Sequence, residues 1–73
     1  MQMEPLNILQ YSFIDDLILN NAFVSIYLKN SIRLKGHIIY HDKESIILRD
    51  RGIQMIYKKA ISAISPELKF ETF

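Results

Sequence analysis

VSIYLKNSIRLKGHIIYHDKESIILRDRGIQMIYKKAIS, residues 24–62, is the stretch that decides the fold of this 73-residue chain. Apolar and polar residues alternate through most of it, which is the pattern of half-buried β-strands. Polar segments at residues 30–31, 42–44 and 50–52 interrupt the alternation, as turns between antiparallel strands do. The stretch therefore predicts about five short strands, the last of which stops at Pro66.

The second of these runs contains a glycine. Alternation predicts that Ile38 and Tyr40 face one side of the strand, and that Arg33 and Lys35 face the other. Gly36 lies in the middle, where glycine weakens a strand unless the backbone bends sharply or another group approaches closely. We therefore expect Gly36 to mark the bend of a small curled barrel.

A different period precedes the strands. Leu6, Leu9, Phe13 and Leu17 recur at spacings of three and four residues, as the apolar face of an amphipathic helix does. Pro5 suits the first turn of such a helix, and Asn20-Asn21 suits its end. We predict a mainly β domain over residues 1–66, with a helix at about 6–20, a barrel at about 23–66 and a short tail at 67–73.

Composition limits how such a chain can be stable. Its residues are 49% hydrophobic, and it has no cysteine for disulfides. A domain this small has difficulty hiding that much apolar surface alone, so we expect its sheet edges to pair between subunits. It has no charged leader before an apolar run and no apolar stretch of the roughly 20 residues that span a bilayer. We expect a soluble cytoplasmic protein with no membrane contact.

Positive charge is concentrated in the strand region. Eight of the nine Lys and Arg residues lie between residues 24 and 62, together with only three of the eight acidic residues. The near-neutral total of +1 therefore hides a polarised molecule. A basic β module of this kind indicates a polyanion as partner.

Patterns that would indicate catalysis or metal binding are weak. His37 and His41 would lie roughly 13 Å apart on a strand, so they cannot share one ion within a subunit. Asp15 and Asp16 are adjacent on the helix and point in different directions, which favours simple solvation. No nucleophile arrangement, phosphate-binding glycine loop or metal motif is present. We expect no enzymatic activity, no cofactor and no metal.

Several segments together resemble one known family. They are Val24-Ser25-Ile26-Tyr27-Leu28, Gln54-Met55-Ile56-Tyr57-Lys58 and Ala60-Ile61-Ser62, with Gly36 and Asp42 at matching positions. The chain resembles Hfq, the bacterial Sm-like RNA chaperone family. The resemblance implies a helix on a strongly bent, five-stranded antiparallel Sm-like barrel that assembles into a hexameric ring. It also implies post-transcriptional regulation through RNA bound on two faces, with Gly36 and Asp42 in structural roles.

In that family the face opposite the helices holds A-rich single-stranded RNA. The matching residues are Tyr27, Leu28, Asn30, Ser31, Ile32, Arg33, Lys35 and Gln54. An aromatic ring and aliphatic walls stack bases, Gln54 can pair with an adenine edge, and Arg33 can meet phosphate. Ser31 replaces a usual glycine and Lys35 a frequent glutamine, so we expect stronger phosphate attraction and weaker base discrimination.

The helix-side face holds uridine-rich RNA ends in the family. The matching residues around this face and the pore are Gln10, Lys43, Tyr57, Lys58 and Lys59. Glu44 stands where the family usually has an aromatic residue, and Lys59 stands where it usually has histidine. A stacked base contributes about 1–3 kcal/mol, and a carboxylate repels phosphate. We therefore expect this face to bind RNA mainly by charge.

The outer rim of the family usually carries an arginine cluster that helps to anneal two RNAs. Ile18, Leu19 and Asn21 occupy those positions here, and only Arg49 supplies charge nearby, so we expect weak annealing. Ile18 and Leu19 either complete the packing of the helix or leave an apolar patch for a protein partner. Two hypotheses follow: a ring that binds A-rich mRNA and small regulatory RNA, or a ring that serves as a protein scaffold with little RNA selectivity.

Overall fold

The computed structural model describes residues 11–67, which form one helix and a five-stranded sheet. The elements are α1 (Tyr11–Leu19), β1 (Phe23–Leu28), β2 (Arg33–His41), β3 (Ser45–Arg49), β4 (Ile53–Tyr57), a 3₁₀ turn (Lys58–Ala60) and β5 (Ile61–Pro66). The strands pair antiparallel in the order β4-β3-β2-β1-β5. The predicted helix and five strands are confirmed within this range, and residues 6–10 of the predicted helix lie outside it.

Helix α1 ends in a capping motif that contains Asn21. Asn21 takes the left-handed conformation, with φ of +51°. The Ala22 N–H donates to the Leu17 carbonyl and the Asn21 N–H donates to the Ile18 carbonyl, each at 3.0 Å. This is the Schellman arrangement, which satisfies carbonyls that a helix end otherwise leaves without partners. It turns the chain directly into β1.

The core lies between the helix and the inner face of the sheet. Ile14 and Leu17 of α1 pack into a cluster with strand residues. The other buried members are Val24, Ile26, Ile38, Ile46, Leu48, Ile56, Ile61 and Ile64. Complete burial of a side chain such as Ile14 contributes about 1.5–3 kcal/mol, so the apolar stripe holds the helix on the barrel.

Strand β2 pairs with a different neighbour along each part of its length. It pairs with β1 from Arg33 to His37, and with β3 from His37 to His41. Gly36, just before this change of partner, has a φ of +157°. A Cβ atom built on Gly36 would lie 2.4 Å from the Arg49 carbonyl oxygen, a distance that real Cβ atoms essentially never show. The absence of a side chain therefore lets β3 approach where the sheet bends.

One prediction about side-chain direction was wrong. Tyr40 was expected on the same face as Ile38, yet Ile38 is buried while Tyr40 is 51% exposed. The pairing of β2 with β3 shifts register between these two residues. An extra residue in one strand reverses the alternation beyond it, and such a bulge leaves no simple signal in the sequence.

The two edge strands of the sheet are β4 and β5. Strand β4 exposes three large apolar side chains, Ile53, Met55 and Tyr57. Unpaired edges with apolar side chains are places where a second chain can add a strand. Within residues 11–67, no helix has the length and apolar character needed to cross a membrane.

We predict that Gly36→Ala lowers the free energy of unfolding by about 2 kcal/mol or more, because overpacking of this size typically costs 1–3 kcal/mol and here the clash is with backbone. Gly52→Ala is the matched control, since no atom lies within 4 Å of a Cβ built there. Urea unfolding at one protein concentration compares the variants. Equal stability of the two variants would contradict the role given to Gly36.

Candidate functional site

A basic cavity of about 430 Å³ opens between β2 and the turn that joins β3 to β4. Its lining consists of Arg33, Leu34, Lys35, Leu48, Asp50, Arg51, Gly52 and Gln54. Three cationic side chains, one carboxylate and one amide therefore surround two leucines. We call this opening the basic cavity.

The sheet pairing explains why the opening exists. Residues Arg33–Lys35 pair with β1, but the pairing of β2 with β3 begins only at His37. The β3–β4 turn lies on the far side of the cavity. Within this turn, the Asp50 N–H donates to the Gly52 carbonyl at 2.9 Å. The start of β2 thus faces a turn instead of a paired strand, and side chains from both can converge there.

An exposed aromatic side chain lies beside the basic cavity. Tyr27 is 37% exposed, and the Arg33 guanidinium carbon is 6.0 Å from the centroid of its ring. This is the outer limit of a cation–π contact. It places an aromatic surface next to one of the three cations, so a planar ligand and an anionic group can be held side by side.

The β1–β2 turn carries the remaining residues predicted for this face. The Leu28 N–H donates to the Ile32 carbonyl at 2.8 Å, and the Ile32 N–H donates to Asn30 Oδ1 at 3.1 Å. Ser31 has a φ of +74°, in the left-handed region that favours glycine. Serine at this position is therefore locally strained, while Ile32 at the end of the turn stays half exposed.

A second cavity, of about 560 Å³, is lined by Lys43, Glu44, Tyr57, Lys58 and Lys59. The Lys58 N–H donates to the Glu44 carbonyl at 2.8 Å, which joins the β2–β3 turn to the 3₁₀ turn. We call it the helix-side cavity, because Lys58 is linked through His41 to helix α1. Three lysines and one carboxylate make it net cationic.

Asp42 builds the turn at the edge of the helix-side cavity. Its Oδ1 accepts from the Glu44 N–H at 2.9 Å, from the Ser45 N–H at 2.8 Å and from the Ser45 hydroxyl at 3.0 Å. These bonds, the one from Glu44 first, lower the pKa of the Asp42 carboxyl, and the charge of Lys58 acts in the same direction. Asp42 is therefore ionised at neutral pH and holds the turn in place.

Lys58 is largely enclosed by the protein, since only 7% of the residue is exposed. Its Nζ lies 3.3 Å from His41 Nδ1. Burial lowers the pKa of Lys58, and the charges of Asp42 and Asp15 oppose that shift. The ammonium group thus lies at the inner end of the helix-side cavity.

Asp15, predicted to be solvated, is exposed but also contacts a histidine. Its Oδ1 lies 2.7 Å from His41 Nε2. The carboxylate side chain is 57% exposed, whereas the His41 side chain is 5% exposed. A residue of the helix therefore contacts the β-strand histidine that reaches Lys58.

The structure brings half of the predicted contact residues together in the two cavities. Arg33, Lys35 and Gln54 share the basic cavity, and Lys43, Tyr57, Lys58 and Lys59 share the helix-side cavity. Gln10 lies outside the described residues. Arg49 is exposed at the end of β3 and lines neither cavity.

Asp15, His41, Asp50 and Arg51 are ionisable residues around these cavities that were missed from the sequence as site residues. Asp50 and Arg51 enter the basic cavity from a turn, and their position next to the glycine of a predicted hairpin was the only available signal. Asp15 and His41 meet across 26 positions of sequence, which no local pattern reveals. The structure finds no group of three or more His, Cys, Asp or Glu side chains suited to a metal ion within residues 11–67.

The rim positions divide between packing and exposure. Ile18 packs against the core, whereas Leu19 is 82% exposed. Asn21 is used by the helix cap described above. Of these three positions, Leu19 therefore presents a large exposed apolar side chain.

Comparison with known proteins identifies the relatives of this chain. The sequence model of the family described as "Hfq protein" matches residues 9–71. A crystal structure of Hfq, described as a pleiotropic translational regulator, is similar with 27% identity and a TM-score of 0.77, covering 89% of this chain and all of that one. A crystal structure of an Hfq protein from Anabaena sp. shares the fold, with 24% identity and a TM-score of 0.75, covering 84% of this chain and all of that one.

Proposed function

Because the chain belongs to the Hfq family of Sm-like RNA-binding chaperones, we propose that it captures A-rich single-stranded RNA at the basic cavity and holds other RNA by charge at the helix-side cavity. The observation that carries this proposal is the convergence of Arg33, Lys35 and Gln54 beside Tyr27. Acting in the cytoplasm on mRNA and small regulatory RNA, such a protein regulates expression after transcription. Residues 1–66 form the proposed RNA-binding unit, with 67–73 as its tail.

The family assembles as homo-oligomeric rings, and the sheet edges support a ring here. Ile53, Met55 and Tyr57 on β4 are 68%, 58% and 54% exposed in the single chain. Pairing β4 with β5 of the next subunit would cover these side chains and satisfy both edges. We infer a homohexamer, in which each cavity is repeated six times around the ring.

Base recognition on the A-rich face divides among three kinds of side chain. Tyr27 offers a ring on which a base stacks. Leu28 and Ile32, which are near Tyr27 in the sequence, offer aliphatic side chains for contact with the same base. The amide of Gln54 can both donate to and accept from an adenine edge. The turn residues Asn30 and Ser31 shape the approach to this surface.

Phosphate attraction on the same face comes from the cations of the basic cavity. Arg33 and Lys35 were predicted contacts, and Arg51 adds a third cation from the β3–β4 turn. Cations that neutralise phosphates make affinity depend on salt but carry no base information. This face therefore combines a general electrostatic attraction with recognition by Tyr27 and Gln54.

On the helix side, Lys43, Lys58 and Lys59 supply charge and Tyr57 supplies the one aromatic ring of the cavity lining. Glu44 adds a negative charge at the same opening. Gln10, which lies outside the described residues, is proposed as a further RNA contact of this face because of the family resemblance. Uridine-rich RNA is accordingly bound weakly and with a steep salt dependence. Since Ile18, Leu19 and Asn21 replace cations at the rim and leave Arg49 alone there, annealing of two RNAs is slow.

We predict that Tyr27→Ala weakens binding of an A-rich 18-nucleotide RNA by at least about fivefold, because a stacked base contributes about 1–3 kcal/mol. Tyr40→Ala is the control, since Tyr40 is an exposed tyrosine that lines neither cavity. Fluorescence anisotropy at fixed salt measures both affinities.

Equal effects of the two tyrosine substitutions would contradict the assignment of Tyr27 to the RNA site. Absence of RNA binding by the unsubstituted ring would instead favour a protein scaffold. The exposed Leu19 would then be the first residue to change, to arginine, in a search for a partner lost with it.

We predict that Glu44→Phe strengthens binding of a uridine hexamer by about fivefold or more, because it replaces a repelling charge with a stacking surface. Glu44→Gln removes only the charge, so a gain of about twofold is expected for it, less at higher salt. The two affinities, measured across a salt series, separate stacking from repulsion. If Phe improves binding no more than Gln, stacking at this position has no part in uridine recognition.

A further inference from the structure

Among the described residues, Asp50 is the one carboxylate that lines the basic cavity. It belongs to the β3–β4 turn and directly follows the end of β3 at Arg49. Gln54 is paired with Leu48 across β3 and β4, and Asp50 follows Leu48 by two residues. Residues two apart along an extended chain share a face of the sheet. This is why the carboxylate of Asp50 and the amide of Gln54 line the same cavity.

The β3–β4 turn does not depend on the Asp50 side chain. Asp42 shows what a turn-building aspartate does in this fold, because its Oδ1 accepts three hydrogen bonds within the β2–β3 turn. In the β3–β4 turn the hydrogen bond runs instead from the Asp50 N–H to the Gly52 carbonyl. The Asp50 carboxylate accepts no hydrogen bond within residues 11–67. Its oxygens are therefore available to a ligand.

The cations of the cavity do not occupy this carboxylate either. Within the described part of the chain, no ion pair joins Asp50 to Arg33, Lys35 or Arg51. An unpaired carboxylate lowers the attraction of the cavity for phosphate, because like charges repel. A site for phosphate alone gains nothing from such a group. A site that also recognises a base gains a hydrogen-bond acceptor.

A carboxylate distinguishes bases because an ionised carboxylate accepts hydrogen bonds and donates none. Guanine offers it two neighbouring donors, N1–H and the amino group at C2, on the edge that single-stranded RNA presents to proteins. Adenine and cytosine offer one amino group beside a ring nitrogen that is an acceptor, and uracil offers one N–H between two carbonyl oxygens. The two oxygens of Asp50 therefore match guanine best, and bonds to a charged acceptor are the stronger ones.

We propose that Asp50 is a specificity-determining residue of the basic cavity, where its carboxylate accepts the N1–H and the amino group of a guanine in the bound RNA. This inference rests on the proposed function of the cavity, and it narrows the RNA to A-rich sequences that contain guanine. Gln54 binds an adenine edge, and Asp50 binds a guanine edge. The three cations hold the phosphates. Lys35 alone weakens base discrimination, and Asp50 adds discrimination by a different contact.

The same carboxylate has the opposite effect on RNA without guanine. No pair of donors then offsets the repulsion between Asp50 and phosphate. Replacement of Asp50 by asparagine, which removes the charge and one acceptor oxygen, should therefore weaken the binding of guanine-containing RNA and leave A-only RNA bound as tightly or more tightly. A residue that only maintained the turn would weaken both RNAs alike when replaced.

The test compares three seven-nucleotide A-rich RNAs that differ only at the central base, which is guanine, hypoxanthine or adenine. Hypoxanthine keeps the N1–H of guanine and lacks only the amino group at C2. Competition fluorescence anisotropy with the full-length protein at low salt gives the three affinities. The wild type should bind the guanine RNA about fivefold more tightly than the hypoxanthine RNA, because one hydrogen bond to a charged group is lost.

Asp50→Asn should reduce this ratio to about twofold or less, since an amide supplies one acceptor oxygen in place of two. It should bind the adenine RNA as tightly as the wild type does, or up to about twofold more tightly. Asp16→Asn is the matched control, because Asp16 is an exposed carboxylate of α1 that lines neither cavity. This variant loses the same charge and should keep the wild-type ratio.

Each outcome bears on a different claim. Equal affinity of the wild type for the guanine and hypoxanthine RNAs overturns the inference but leaves the proposed function standing, and this comparison needs no variant. A guanine preference that persists in Asp50→Asn overturns the assignment to Asp50, as does a variant that weakens all three RNAs alike. Absence of binding to all three RNAs by the wild type overturns the proposed function of the cavity, and the inference with it.

Discussion

The close approach of the Arg49 carbonyl to Gly36 is the constraint on which the rest of the structure depends. With a side chain at this position, β3 could not lie where it does, because the Cβ would be 2.4 Å from that oxygen. The approach allows β2 to leave β1 and join β3 within one continuous strand. The basic cavity is a direct result, since the start of β2 then faces the β3–β4 turn.

Most of the fold follows from features that the sequence carries locally. Alternation predicted the five strands, a three-four spacing predicted the helix, and the central glycine predicted where the sheet bends. The side-chain direction of Tyr40 could not be predicted, because a register shift depends on how two strands meet. The bridge from Asp15 through His41 to Lys58 likewise depends on how the helix lies on the finished sheet.

The two cavities share a net positive charge but offer different chemistry. The basic cavity places cations beside an exposed tyrosine and an amide, a combination suited to both phosphate and base. The helix-side cavity combines lysines with the carboxylate of Glu44, and its most enclosed lysine already has partners within the protein. Membership of the Hfq family thus indicates RNA binding in general, while the residues that line the two cavities differ in the amide and carboxylate groups that they offer.

The central claim, that one ring binds RNA independently on two unequal faces, is tested most directly by native mass spectrometry. The purified protein would be mixed with an A-rich 18-nucleotide RNA and a uridine hexamer of distinguishable mass, each alone and then together, at several salt concentrations. The account predicts a homohexamer that carries both RNAs at once, with the uridine RNA lost first as salt increases. Displacement of one RNA by the other, or equal salt sensitivity of both, would contradict it.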